Sequence, residues 1–523
     1  MAVHCWIAKE LTQGTSFTTS FVQCPAMTAD HYDIGYITID MFPNEVLLEI
    51  FAFYLCGDGD EEEWQMLVHM CQRWRSIVFG SPLSLNLRIV CADETCNEAL
   101  DIWPAFPIII RIADLNTDLG DNLLTAFKQR DRICEIHIDN VSDDWMDELE
   151  LVMKGPFPAL TVLDIQSGGE QELLLSDSFL GGSAPSLRSL YLQGIGYRAL
   201  PKLLSSAPGL VRLHLVDIPD WYFPPEAMVD SLSSLTRLEQ LELHFHFAPR
   251  SNHASRRLPP LTRTVLPVLT SLAFRGEGEY LDHLFAHTHF PQLNDVDITF
   301  CPPVIFDVSQ ISRFIGHTEA FEVSDQAHIL FNRDVAEVTV SSSKGATDDT
   351  SLRLSIRCRD SVFQLNSLKW ACRPFPPRFP THTVRLDHLG LPAQSITGNV
   401  ETRWRTVFQP FTAVENLYLV RTLGVAQSLS GNVETRWQTV FQPFTAVENL
   451  YLNREIAEYV IFALQEHTAE QGVVTELFPA LQSIFIESLE SVKSGPAQEA
   501  IEKFVAAREL SGRPVTVQHW LGK

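Results

Sequence analysis

The chain has 523 residues, room for up to three ordinary domains or one elongated repeat body, and 45% hydrophobic with 10% aromatic residues supports an ample core. Its 39 basic against 65 acidic side chains give a net charge of −26, a field that repels phosphate backbones and anionic bilayers and argues against nucleic-acid or membrane partners. Ten cysteines without a Cys-x-x-Cys predict reduced thiols and no zinc framework, and the absence of a secretory start or membrane-length apolar run predicts an intracellular, cytoplasmic or nuclear location.

Residues 1–35 show little periodicity and are expected to be a flexible tail. Asp40 is placed to cap a helix whose first turn holds Pro43, after which Val46, Leu47, Ile50, Phe51 and Tyr54 share one face. Past an acidic loop at Gly57–Glu63, whose charges are those of a solvated connection, Trp64, Leu67, Val68, Cys71, Trp74 and Val78 follow a second helical path. Two apolar stripes within forty residues need a surface from elsewhere, so the segment reads as a docking module.

The residues FPNEVLLEIF followed by LVHMCQRWRSI resemble the F-box, the three-helix adaptor-binding segment of cullin-RING ubiquitin ligases. The continuation from Gly80 to Ala113 is similar to that of the large F-box families of mushroom-forming fungi, so the resemblance spans roughly 40–113. It implies a helical domain at 36–80 that grips a Skp-type adaptor through Pro43, Val46, Leu47, Ile50, Leu67, Val68, Cys71 and Trp74. A connecting segment at 81–114 would follow, and the remaining chain would select a target for ubiquitin transfer. Cys71 is expected in core or interface packing, not as a reactive thiol.

From about residue 115 one phrase returns, Pro-x-Leu-x-x-Leu-x-Leu or a variant, at Pro158, Pro185, Pro208, Pro267, Pro291 and Pro479, and without the proline at Arg237, Val414 and Val447. Its leucines fall on one side of a short strand, with spacings of 27, 23 and 24 residues between successive units such as Leu160–Leu187, Leu187–Leu210 and Leu269–Leu293. Helices fill the gaps at Pro224, Glu279 and Pro496, the last stopped by Gly512. The expected fold is therefore α/β: an amino-terminal three-helix segment followed over 115–523 by an irregular leucine-rich-repeat solenoid, parallel strands with helices on the outer face. The asparagine ladder of regular repeats is nearly absent, which predicts an uneven stack. Segment 311–378 departs from the scheme, with Val335 and Ser351 opening two alternating strands that suggest a hairpin. Residues 398–419 recur at 431–452 with one difference, Arg405 against Gln438, which reads equally as a recent duplication of one repeat or as an assembly or splicing artefact of the sequence; each copy carries a helical face and a strand, enough to form an added unit.

No phosphate-cradling loop or serine elbow is present, and Gly276-Glu-Gly278 reads as a turn. His283, His287 and His289 lack a metalloprotease pattern, and His244 with His246 have no cysteine or carboxylate pattern beside them. No catalytic residue, metal or cofactor is expected, and the chain is not expected to be an enzyme. Residues at the third and fifth phrase positions would line the concave side; Tyr191, Arg212, His214, Glu242, Asp297, Tyr418 and Tyr451 are the candidates for holding a target protein. Two functions remain: substrate receptor of an SCF-type ubiquitin ligase, or interaction scaffold without a ligase role.

Overall fold

The computed structural model describes residues 39–521 except 56–63, 93–99, 102, 114–120, 169–172, 219–223, 246–262, 302–308, 319–320, 322–323, 332–334, 343–350, 358–368, 370, 376–378, 380, 388–406, 422–439, 467–476 and 488–495. The tail, the acidic loop, His246, Trp404 and Trp437 thus lie outside the described residues. Two compact units divide at Val162/Leu163. No helix among the described residues is long and apolar enough to cross a membrane.

In the first unit, α1 (Asn44–Leu55) begins after Pro43, whose carbonyl accepts the Leu47 amide at 3.1 Å. The second helical path is not one helix. It breaks into α2 (Trp64–Met70) and α3 (Gln72–Gly80), because Cys71 is extended (φ −158°, ψ 167°) and its sulfur accepts the Trp74 amide at 3.5 Å. A helix start leaves amides without partners, and this exposed thiol supplies an acceptor; Cys71 is a cap and is not part of the helical core.

Leu47, Phe51, Trp64, Leu67, Val68, Trp74 and Val78 form the core of the helical segment. Phe51 meets Trp74 at 4.7 Å, and Trp64 packs edge-on against Trp103 and Phe106 at 5.1 and 5.6 Å while its indole N–H donates to the Arg88 carbonyl at 2.9 Å. Segment 81–114, read as a connection, holds two strands, β1 (Ile89–Cys91) and β2 (Ile108–Ile112). They pair in parallel with each other, and β2 pairs with β3 (Ile133–Val141), the last two flanking α4 (Asp121–Phe127) in sequence. The isoleucine run at 108–110 is buried throughout and so lacks the alternating phrase that marks later strands. Helix α5 (Asp143–Met153) follows. Cys91 is disulfide-bonded, which corrects the expectation of reduced thiols; Cys71, Cys134, Cys301 and Cys372 are free.

At the boundary lies β4 (Val162–Ser167). The second unit continues with β5 (Leu173–Leu175), β6 (Ser189–Gln193), β7 (Ile195–Tyr197), α6 (Leu200–Ser205), β8 (Arg212–Ile218), α7 (Pro225–Leu232), β9 (Gln240–Phe245), β10 (Thr264–Val265) and β11 (Ser271–Gly276). Next come α8 (Gly278–His287), β12 (Thr288–His289), β13 (Asp295–Phe300), α9 (Ser309–His317), β14 (Gln326–Phe331), β15 (Val335–Ser341), β16 (Ser351–Arg357), β17 (Thr383–Asp387) and β18 (Asn416–Arg421). The chain then runs through β19 (Asn449–Leu452), α10 (Arg454–Glu466), β20 (Ser483–Glu487), α11 (Pro496–Leu510) and β21 (Thr516–Trp520).

Its main ladder runs β6-β8-β9-β11-β13-β16-β15-β14-β17-β18-β19-β20-β21, parallel except on either side of β15. This is the repeat pattern the phrase foretold, a mixed α/β unit with a mostly parallel, leucine-rich sheet. The proline opens a turn that the first leucine closes: the amides of Leu187, Leu210 and Leu481 donate to Ala184, Ala207 and Phe478 at 3.0–3.1 Å. The later leucines then stack in register, Leu190, Leu213, Leu241, Leu272, Val296 and Leu352 forming one buried column. Burying each such side chain contributes roughly 1.5–3 kcal/mol.

The expected hairpin is β15–β16, and β14 joins it as a third, unforeseen strand, so that the chain folds back twice before resuming parallel order at β17. At the carboxyl end Gly512 (φ +74°) stops α11 as expected, its amide donating to Glu509 at 3.0 Å.

The duplicated segments form successive rungs. Val407, Phe408 and Phe411 are buried like Val440, Phe441 and Phe444, and β18 pairs with β19 at an offset of 33. Deleting residues 420–452 joins Leu419 to Asn453, recreates the sequence of Val447–Asn453 and lets β18 pair with β20. The shortened protein is expected to keep its mean-residue far-UV ellipticity and cooperative urea unfolding; an aggregated or unfolded product would contradict a self-contained rung.

Candidate recognition surface

Every second residue of the main ladder points away from the leucine columns, and parallel register converts those residues into rows. One row runs Tyr191, His214, Glu242, Ala273, Asp297, Arg353, Thr339, His328, Arg385, Tyr418, Tyr451, Phe485 and Gln518. Six of the seven residues singled out for target binding lie in it; Arg212 stands two positions earlier, in register with Ser189 and Gln240.

Charge occupies the row's first part. Glu242 sits between two imidazoles, 2.6 Å from His214 Nδ1 and 3.4 Å from His244 Nδ1. The His214 hydrogen bond outweighs burial and, with the His244 charge, holds the Glu242 carboxyl below its usual range. Burial depresses the His244 imidazole more than Glu242 raises it. Asp297 meets Arg353 at 3.3 Å, yet burial lifts its carboxyl above the ordinary range. Further along, His328 and Arg385 hold Asp387 at 2.7 and 3.3 Å, enough to overcome the opposing effect of burial and lower its pKa.

Aromatic rings occupy the second part. Tyr418 and Tyr451 stack at 4.0 Å with planes 5° apart, Phe485 extends the stack at 4.5 Å and 8°, and Trp520 meets both tyrosines edge-on at 5.8 and 5.7 Å. Burial first, then the Tyr451 hydrogen bond, pushes the Tyr418 phenol up to about 12. The neighbouring row carries a matching amide pair, Asn449 donating to Asn416 at 2.9 Å. Tyr418 and Tyr451 occupy the same place in the two duplicated segments, so the repetition itself built the stack. Phe485 holds the fifth position of its own phrase and was reachable by the rule that found the tyrosines, whereas Trp520 and Arg353 lie on strands without the phrase.

The amino-terminal candidates sort differently. Leu47, Ile50, Leu67, Val68 and Trp74 are buried within their unit, and Pro43 and Cys71 are exposed, with Val46 half-buried. Large apolar side chains that face solvent there are Met41, Phe53, Met66, Met70 and Leu83, with Phe53 and Met66 exposed to 65% and 64%.

No group of three or more His, Cys, Asp or Glu among the described residues is placed to hold a metal. His283 and His287 stack face to face at 4.0 Å, and His287 Nδ1 donates to the His283 carbonyl at 2.8 Å. The row offers shape, charge and stacked rings.

No protein family and no curated protein matches the chain. Among solved structures it is similar to the leucine-rich repeat-containing protein LegL7 from Legionella pneumophila, at 9% identity and a TM-score of 0.26, over 75% of this chain and 96% of that one.

Because the folded Glu242 carboxyl has a depressed pKa, its contribution to stability is complete above the unfolded value of about 4.3 and is lost as pH falls through the folded value. Glu242→Gln is therefore expected to lower stability at pH 7, by up to about 1 kcal/mol for a pair this close to solvent. The deficit should shrink between pH 5 and pH 3, as urea midpoints would show. A constant deficit would mean the carboxylate's charge plays no part.

Proposed function

We propose that this protein is a non-catalytic receptor whose row of charged residues and stacked aromatic rings holds a target protein. Its amino-terminal helices would dock it on a Skp-type adaptor of a cullin-RING ubiquitin ligase. The observation that carries the receptor role is the Tyr418–Tyr451–Phe485 stack standing on the side of the ladder opposite the leucine columns. Large rings held in one orientation by parallel strands bring contact area at little entropic cost. Ubiquitin transfer would then follow from proximity, the target being held near a charged conjugating enzyme supplied by partners.

For the docking step the support is the F-box-like sequence together with the exposed Phe53, Met66 and Met70, side chains that a soluble surface gains nothing by presenting. The contact would be made by these residues, with Leu47, Ile50, Leu67, Val68 and Trp74 holding the three helices beneath it. A second reading, an interaction scaffold without a ligase role, is favoured by one observation: Trp64 and its neighbours are already packed against Trp103 and Phe106 of the same unit.

Purified full-length protein mixed with a recombinant Skp-type adaptor is expected to co-elute in gel filtration. Phe53→Asp with Met66→Asp should abolish the complex without moving the thermal midpoint by more than about 2 °C, since both side chains are at the surface. Failure of the unmodified protein to bind any Skp-type adaptor would leave the scaffold reading standing. In contrast, Leu47→Ala removes a fully buried side chain and should cost about 2–5 kcal/mol in the unfolding of the first unit.

A further inference from the structure

Away from the aromatic row, and sharing no residue with it, a cavity of about 480 Å³ opens in the second unit between the end of α8, the turn that follows β12 and one face of α9. That volume falls within the range of small-molecule sites. Helix α9 contributes Gln310, Arg313, Phe314 and His317, which recur at helical spacing and so lie on one side.

The floor is aromatic. Phe285 stacks on Phe314 at 4.6 Å with planes 23° apart and receives Phe290 edge-on at 5.8 Å, and Leu293 is buried beside them. The rim is cationic or polar: Arg263, His289, Arg313 and His317 are exposed around it, and no Asp or Glu is among the described lining residues. Arg263 is held there by backbone pairing, because β10 runs parallel to β12 with Thr264 opposite Thr288, and the Leu266 amide donates to the His289 carbonyl at 3.0 Å. Arg313 Nη1 donates to Gln310 Oε1 at 3.0 Å, which leaves further guanidinium donors. Asp282 is close in space but does not line the cavity, and its carboxylate accepts the Gln310 amide at 3.3 Å.

This basic rim belongs to a chain of net charge −26. Sequence sharpens the contrast, since residues 243–276 carry Arg250, Arg256, Arg257, Arg263 and Arg275 and no carboxylate. A rim with no acid among its described residues, in an otherwise acidic protein, selects negative charge, and a floor of rings selects a flat apolar body.

We propose that this cavity binds a small aromatic anion, its ring against Phe285, Phe290 and Phe314 and its phosphate or carboxylate between Arg263 and Arg313. Guanidinium groups donate charge-assisted, bidentate hydrogen bonds to either kind of oxyanion, and His289 and His317 add ring N–H donors.

Calorimetric titration of the full chain with phenyl phosphate and with phenylacetate, each alone, tests this, with inorganic phosphate and phenol as the parts. At least one aromatic anion is expected to bind, tenfold or more tighter than phosphate or phenol. Arg263→Gln combined with Arg313→Gln should weaken it at least tenfold with an unchanged thermal midpoint, both residues being exposed. The proposal is overturned if neither aromatic anion binds, if phenol or phosphate binds as well as the combined molecule, or if the double variant loses less than tenfold. Adaptor binding is untouched by any of these results, so the two readings fail separately.

Discussion

One carbonyl per turn of the second unit carries its order. The residue just before each strand offers its oxygen to two consecutive amides of the next rung: Arg188 to Val211 and Arg212, Val211 to Glu239 and Gln240, Glu239 to Thr270 and Ser271, and Thr270 to Asn294 and Asp295, at 2.8–3.1 Å. Past the insertion the same relay resumes through Asp325, His382, Glu415 and Glu448. A carbonyl has two lone pairs, so one oxygen can meet both amides at the start of the next strand. The relay thus fixes where the strands it reaches start, and leucine columns and outward rows both follow from that common origin. It also explains how the stack persists almost without an asparagine ladder, since the backbone itself satisfies the turns.

The same constraint decides which irregularities the unit tolerates. The β14–β15–β16 meander interrupts parallel order, yet β16 enters through the Asn294 carbonyl, which accepts the Ser351 amide at 3.0 Å, and β17 leaves through Asp325. Both ends of the insertion are thus tied to the relay, by one amide at Asn294 and two at Asp325, while its interior reverses direction. Duplication obeys it trivially: Glu448 repeats what Glu415 does, at an offset of 33. A repeated tyrosine then falls directly over its twin, and offset-free register turns a lone aromatic side chain into a stacked one. Aromatic neighbours across strands contribute about 0.5–1.5 kcal/mol beyond their burial, so the repetition adds stability and a surface together.

Sequence showed this unit well because its signal is local. The phrase at Pro185 or Pro208 contains the turn, the buried positions and the outward positions within eight residues, and Tyr191, His214, Glu242, Asp297, Tyr418 and Tyr451 were found by counting along it. Where the phrase was missing the reading faltered: Ile108–Ile112 is buried at nearly every position and shows no alternation, and two strands, β16 and β15, stand between β14 and β13, its predecessor in sequence, an order no spacing reveals. The aromatic floor under Arg263 and Arg313 was likewise hidden, because Phe285 and Phe314 come from different helices and meet only after folding. Cys71 illustrates a subtler failure. Its spacing suits an apolar stripe, but the chain turns there, and the thiol accepts an amide at the surface and is absent from the core.

That last case bears on how the amino-terminal helices can serve a partner. Helical periodicity identifies the side of a helix that is buried, and in a unit of three short helices the nearest thing to bury against is the other helices. Leu47, Leu67, Val68 and Trp74 therefore belong to the segment's own stability, and Phe53, Met66 and Met70, off the stripe, face solvent. Two consequences follow from this separation. The exposed side chains can change without endangering the fold beneath them, and substitutions in the stripe report on folding, whatever they do to any binding. An adaptor would meet methionines and a phenylalanine, long or planar side chains able to adjust to an apolar groove, set upon a helical base held rigid by the Phe51–Trp74 contact and the Trp64 indole hydrogen bond.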